Sequence, residues 1–185
     1  MAKPERIILG IDPGTQVMGY GLIKVSGKEA KLIHLDILKF KSTDDHFLRL
    51  KQIFDQTLEV LERFCPDEMA LEAPFFGKNV QSVLKLGRAQ GVVMAAGLSR
   101  SIPVVEYSPR RVKQAVTGNG NASKEQVAGM LTSIYGKFEA KALDATDALA
   151  VATCHFFQKN SPASAGQNYS GWESFIKQNP NRKMG

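Results

Sequence analysis

The first strong pattern in the chain is the apolar run Ile7-Ile8-Leu9-Gly10-Ile11, which predicts a buried strand over residues 6–12. Pro13-Gly14-Thr15 supplies a tight turn into a second apolar stretch, residues 17–25, so the two read as a hairpin. Gly27-Lys28 marks another turn before a third strand near 30–40. From Phe47 the apolar positions change period: Phe47, Leu50, Phe54, Leu58, Leu61 and Cys65 follow a helical repeat, with Thr43, Asp44 or Asp45 available as its cap and Pro66 as its stop. A fourth strand is predicted over 68–72, halted by Ala73-Pro74, then a helix over roughly 79–100 and a fifth strand at 103–107. Ser108-Pro109 caps and starts the next helix, with proline at its first position. Gly118-Asn119-Gly120-Asn121 reads as a loop, and Ser123-Lys124-Glu125-Gln126 as a capping box. The last helix, 144–158, is alanine-rich. Three meandering strands followed by alternating helices and strands predict an α/β domain with a mixed five-stranded sheet flanked by helices.

Length and composition narrow the class without naming a function. At 185 residues with 43% apolar content, the chain suits one domain with a full core. The domain is expected over residues 1–159. Residues 160–168 read as a linker, and the tail to 185 clusters Trp172, Phe175 and Ile176. No apolar stretch is long enough to span a membrane, and no signal-peptide pattern precedes the first strand, so a cytoplasmic protein is expected. Cys65 and Cys154 are isolated and read as reduced core thiols. His34, His46 and His155 fall on unrelated elements and read as structural or surface residues.

The formal net charge is +6, and its distribution says more than its sum. Between Lys78 and Lys124 there are eight basic residues against one acid, Glu106, so all the excess positive charge lies in one segment. Lys78, Gln81, Lys85 and Arg88 share a stripe of the 79–100 helix, and Arg110, Arg111 and Lys113 follow on the next one. That is the electrostatic footprint of a protein that grips phosphates. The same long helix holds Gly87, Gly91 and Gly97, each costing about 1 kcal/mol in helix propensity. Their presence predicts close approach of another backbone, with a second subunit as candidate.

The candidate chemistry lies in four acids. Asp12 ends the first strand, Glu72 ends the fourth, and Asp144 and Asp147 open the last helix at i, i+3 spacing, so both leave one helical face. Acids at strand exits occupy the edge where open α/β sheets place their sites. Singly, each has a local alternative, Asp12 as a turn opener and Asp144 as a helix cap. Together they suit a metal nuclease core. Oxygen donors without His or Cys select Mg²⁺ or Mn²⁺, and two such ions can clamp the attacking and leaving oxygens of a phosphodiester. Glu106 is a candidate fifth acid.

The string Ile8-Leu9-Gly10-Ile11-Asp12-Pro13-Gly14-Thr15, then Gly19-Tyr20-Gly21, Glu72 followed by Phe75 and Lys78-Asn79, Ala89-Gln90-Gly91, and Asp144-Ala145-Thr146-Asp147-Ala148-Leu149-Ala150 together closely resemble the RuvC-type Holliday junction resolvases. The resemblance covers roughly residues 6–158. It implies an RNase H-like fold, a homodimer, and cutting of four-way DNA junctions with two Mg²⁺ per active site, for which Mn²⁺ can substitute. It also implies Asp12, Glu72, Asp144 and Asp147 as metal ligands and the RuvA–RuvB branch-migration complex as a partner. Phe75 falls where the family has an aromatic near opened bases, with Phe76 beside it as a second ring. Lys113 and Lys124 fall where it has basic residues near the scissile DNA, Lys124 as a catalytic group. Lys78, Asn79, Lys85, Arg88, Arg110 and Arg111 are further candidate DNA contacts. The expected products are a 5′ phosphate and a 3′ hydroxyl.

Three rivals share parts of this pattern. An acetate-kinase or actin-like ATPase also uses an Asp-Pro-Gly-Thr type turn, but it needs a duplicated domain for which the chain shows no second copy. A nuclease of the same fold acting on RNA or RNA–DNA hybrids would arrange its acids alike. A DNA-binding module that had lost its chemistry would not keep all four.

Overall fold

The computed structural model describes residues 5–41, 45–74, 79–139 and 143–160. Its strands are β1 (Arg6–Asp12), β2 (Val17–Ser26), β3 (Glu29–Lys39), β4 (Glu68–Glu72) and β5 (Val104–Tyr107). Its helices are α1 (His46–Phe64), α2 (Val80–Ser99), α3 (Pro109–Thr117), α4 (Lys124–Tyr135) and α5 (Leu143–Asn160). All the predicted elements are present. They form one five-stranded sheet in the order β3-β2-β1-β4-β5, with β1–β2 and β2–β3 antiparallel and β1–β4 and β4–β5 parallel. Strand β1 is therefore central, and the C-terminal ends of β1 and β4 lie side by side.

The alternation of side chains across the strands divides the core in two. Leu9, Ile11, Met18, Tyr20, Leu22, Met69 and Leu71 face one way and pack with Ile53, Val60 and Leu61 of α1 and Ala89, Val93 and Ala96 of α2. Ile8, Ile23, Val25, Ala70 and Tyr107 face the other way and pack with α3, α4 and α5. The even-numbered residues of β1 and β4 belong to this second face, so Asp12 and Glu72 point to the side on which α5 lies.

Helix α5 comes unusually close to that face. Glycines at 10, 19 and 21 leave it no side chains to ride over: a Cβ on Gly10 would stand 2.2 Å from Ala148 O, one on Gly19 1.9 Å from Asp144 O, and one on Gly21 3.1 Å from Leu149 Cα. The helix answers with small residues, Ala145, Ala148 and Ala152, all fully buried. A glycine in a strand interior often marks such a backbone approach. Here it sets the depth at which the last helix sits.

Local chemistry accounts for the helix ends. Asp45 caps α1 by accepting from Phe47 N at 2.9 Å, while Thr43 and Asp44, the alternative caps, lie outside the described residues. Ser108 caps α3 and Ser123 caps α4, the latter through the expected reciprocal box with Gln126. Cys65 departs from expectation. It is exposed, because it terminates α1 in the left-handed conformation (φ 46°) with its N–H on Leu61 O, at the surface just before Pro66. Cys154 is the core thiol, and burial pushes it up to about 12. The glycines of α2 also divide: a Cβ at Gly97 would meet the Met69 side chain, whereas among the described residues nothing approaches Gly87 or Gly91. Among the described residues no helix is long and apolar enough to cross a membrane. The tail from 161 lies outside the described residues, as do Phe75, Phe76 and Lys78.

Candidate active site

The four acids reach one end of the sheet from three elements. Ile11 and Leu71 are paired in the parallel β1–β4 register, so Asp12 and Glu72 follow one step later on adjacent strands, whose spacing is about 4.8 Å. Asp12 is also paired with Gly19, the residue against which the Asp144 carbonyl rests. Asp144 lies in the first turn of α5, and Asp147 one turn further on the same side. All four are half-buried, while Ala145 and Ala148, which follow the two helix aspartates, are fully buried.

Crowding shows in their protonation. Burial, then the charges of Glu72, Asp147 and Asp144, pushes Asp12 up to about 7. Burial and the charge of Asp147 push Glu72 up to about 7 against the opposing pull of Lys124 and Lys113. Lys124, at the start of α4, donates to Asp147 Oδ2 at 2.5 Å, and this hydrogen bond raises the ammonium above its usual range. The loop before it is held in place by Gln114, which donates to Gly118 O (2.7 Å) and accepts from Gly120 N (3.0 Å). A cleft of about 310 Å³ opens here, lined by Glu72, Lys113, Lys124 and Asp147 with Pro109, Val112, Val127 and Ala150. A neighbouring hollow is lined by Asp12, Pro13, Glu72, Ala73, Pro74, Leu86 and Gln90.

Among the described residues no three of these groups are drawn into a ready-made metal cage, and the Lys124 ammonium takes one of the places beside Asp147. The donor set nevertheless fits a hard divalent cation. It is wholly oxygen, half-buried, and so short of positive charge that two of its members hold their protons to near neutral pH.

The remaining candidates fall in different places. Lys85, Arg88, Arg110 and Arg111 are exposed, and Lys113 is half-buried on the cleft wall. Arg111 is turned back onto the body, donating to Gln158 Oε1 at 2.7 Å with its guanidinium 5.7 Å from the Tyr107 ring centre. Asn79 serves as the N-cap of α2 through Ser82 N, at 3.2 Å. Glu106 is exposed and accepts from the buried Gln90, which also donates to the Glu72 carbonyl at 3.3 Å. Gln90 thus ties α2 to the exit of β4, a role not read from the sequence. Its signal was a polar side chain set between alanine and glycine on a helix face that has to be buried. His155 is structural, as expected, but it is fully buried in a polar network rather than at the surface.

Comparison with known proteins identifies the family over nearly all of the chain. Residues 8–155 match the family described as crossover junction endodeoxyribonuclease RuvC. Over 182 residues the chain is 58% identical to the crossover junction endodeoxyribonuclease RuvC of Christiangramia forsetii, covering 97% of this chain and 94% of the relative. It is 54% identical over 187 residues to that of Porphyromonas gingivalis, covering 98% and 99%. Thermus thermophilus RuvC, solved in complex with a Holliday junction substrate, superposes with a TM-score of 0.77 at 37% identity, covering 83% of this chain and 94% of that one. The sheet order, the helices on its two faces and these matches make the fold RNase H-like, and the chain belongs to the RuvC family of crossover junction endodeoxyribonucleases.

Proposed function

We infer that this protein is a structure-selective endonuclease that resolves four-way DNA junctions by paired symmetric nicks during recombination and repair. The observation that carries the reading is the meeting of acids from β1, β4 and α5 beside Lys113 and Lys124, in a chain of this family. We assign Asp12, Glu72, Asp144 and Asp147 as the ligands of two Mg²⁺ ions, with Mn²⁺ able to substitute. Such ions, when bound, would lower the pKa of an attacking water and offset charge on the departing 3′ oxygen. The chain's own part is to orient and to balance charge. The strand ends and the seat of α5 fix where the carboxylates stand. Lys124, whose ammonium bonds Asp147, would exchange that carboxylate for a phosphate oxygen, and Lys113 adds positive charge in the same cleft. The products are then a 5′ phosphate and a 3′ hydroxyl.

The nuclease function is assigned to residues 1–159, since every acid and both lysines lie there. Phe75 is assigned to stacking on opened bases, where each stacked base is worth on the order of 1–3 kcal/mol. Lys78, Lys85, Arg88 and Arg110 are assigned to the phosphate track. Arg111 and Asn79, already engaged within the chain, are weaker members of it. A homodimer follows from the task, because two matched cuts across a two-fold junction need two matched sites. Helix α2 is the candidate interface, as it leaves Val80, Leu84 and Leu98 exposed along with Gly87 and Gly91. The RuvA–RuvB branch-migration complex is the expected working partner, and the reaction belongs in the cytoplasm with its DNA.

The test is a side-by-side incubation with Mg²⁺ of a synthetic four-way junction, a duplex of the same sequence and an RNA–DNA hybrid. Paired, symmetric cutting confined to the junction is the expected outcome. Preferential cutting of the hybrid would replace this reading with that of a ribonuclease of the same fold.

A further inference from the structure

The end of α5 remote from the cleft is held by a buried polar chain that the proposed chemistry does not use. His155, 2% exposed, places Nε2 2.7 Å from Glu68 Oε2 and Nδ1 2.8 Å from the Tyr107 hydroxyl. With Glu68 ionised, the consistent arrangement is a neutral imidazole that donates from Nε2 to the carboxylate and accepts the tyrosine proton at Nδ1. Burial holds the imidazole below its usual range. Burial works against the Glu68 carboxylate too, but hydrogen bonds from Lys159 (2.8 Å) and His155 and the charge of Arg6 outweigh it and hold Glu68 below the usual range. His155, Glu68 and Tyr107 are each hydrogen-bonded, and with Arg6, whose Nη1 lies 3.5 Å from Glu68 Oε1, the network joins β1, β4, β5 and α5.

Its position relative to the acids is metrical. Strand β4 carries Glu68 at its start and Glu72 at its end, four residues apart on one face, which is about 13 Å at strand rise. On α5, running the opposite way above it, Asp147 and His155 are eight residues apart, which is about 12 Å at helical rise. The two spacings match, so pinning His155 to Glu68 brings Asp147 level with Glu72, with which it lines the cleft. Between these points the helix lies on its alanines against Gly10, Gly19 and Gly21. That contact fixes how deep the helix sits; Leu149, Val151 and Phe156 add apolar packing on the same side of the sheet, and the polar chain adds directional bonds that tie one point of the helix to one point of β4.

We propose that the Glu68–His155–Tyr107 chain sets the axial register of α5, and through it the spacing between Asp144 and Asp147 on the helix and Asp12 and Glu72 on the strands. His155 is thus a positioning residue for the metal site. The proposal rests on the assignment of those four acids as metal ligands.

Mn²⁺ binding to the full chain, read by the loss of free-ion paramagnetic resonance signal in the absence of DNA, tests it together with junction cutting as a function of Mg²⁺. His155→Ala should raise the half-saturating concentration of both metals about tenfold, with junction affinity in metal-free buffer unchanged within twofold. His155→Gln keeps a donor that can reach Glu68 and should recover most of the loss. Tyr107→Phe removes only the hydroxyl and should cost roughly threefold; it carries the test if the alanine variant does not fold. Folded variants that melt earlier but bind Mn²⁺ and respond to Mg²⁺ as the parent does would overturn the proposal, leaving the network a matter of stability alone. Asp12→Asn separates the two readings. If it leaves Mn²⁺ binding intact the ligand assignment fails, whereas if it abolishes binding and His155→Ala does not alter it, only the register proposal fails.

Discussion

Asp12 and Glu72 hold protons to about pH 7 because they are buried beside one another and beside the α5 aspartates. Their folded values lie above the unfolded ones, so each contributes stability that is complete below about pH 4 and lost as pH rises through about 7. Metal-free protein should therefore melt at a lower temperature at pH 8 than at pH 5, and Asp12→Asn should flatten that slope. Calorimetry in chelator across this range checks it; a parent that gains stability from pH 5 to 8 contradicts it. Since a metal must displace those protons, Mn²⁺ affinity should weaken as pH falls below 7. Changing Asp12, Glu72, Asp144 or Asp147 to its amide should reduce cutting by several powers of ten while junction binding survives or tightens, because an anion facing phosphates has been removed. A variant that cuts near the parent rate in Mg²⁺ loses its assignment as a ligand. These acids were readable from sequence because each follows or opens an apolar run, which is local information. The partners of His155 were not, because Glu68 and Tyr107 stand 87 and 48 residues away, and only the sheet order brings them together.

At the scale of elements, strands and helix caps were legible for the same local reason: Ser108 with Pro109, and Ser123 with Gln126, carry their capping chemistry within four residues. The seat of α5 was not. Gly10 stands on one strand and Gly19 and Gly21 on the next, and only the β1–β2 pairing sets Gly10 opposite Gly21 and Asp12 opposite Gly19, making one bed of them. Gly10→Ala would drive a methyl into the Ala148 carbonyl and should cost on the order of 3 kcal/mol, together with most of the cutting activity, as seen by denaturant unfolding and a junction assay. Gly91→Ala meets open space and should add about 1 kcal/mol of helix propensity to α2 in the isolated protomer. If α2 is the dimer face, that same methyl should weaken self-association in sedimentation, so the two measurements should move in opposite directions. Unaltered association would move the interface elsewhere.

For the molecule as a whole, the positive charge concentrated between Lys78 and Lys124 predicts that junction affinity falls by several powers of ten between 50 and 200 mM salt if six or more phosphates are contacted. A filter-binding series over salt measures the slope, and Lys85→Ala with Arg88→Ala should reduce it by about two contacts. A slope near zero would remove the phosphate track from α2. The seating of α5 on β1 and β2 has a temporal consequence as well. The first and last parts of the site are more than 130 residues apart in sequence, and the strand bed laid down by β1 and β2 stays uncovered until α5 has been made and has left the ribosome. A nascent chain lacking α5 has two of its four acids and no roof over its glycines. On the assignment of the four acids, the basic segment that grips DNA is thus made before the chain can cut, and competence to cut should arrive only with the closing helix.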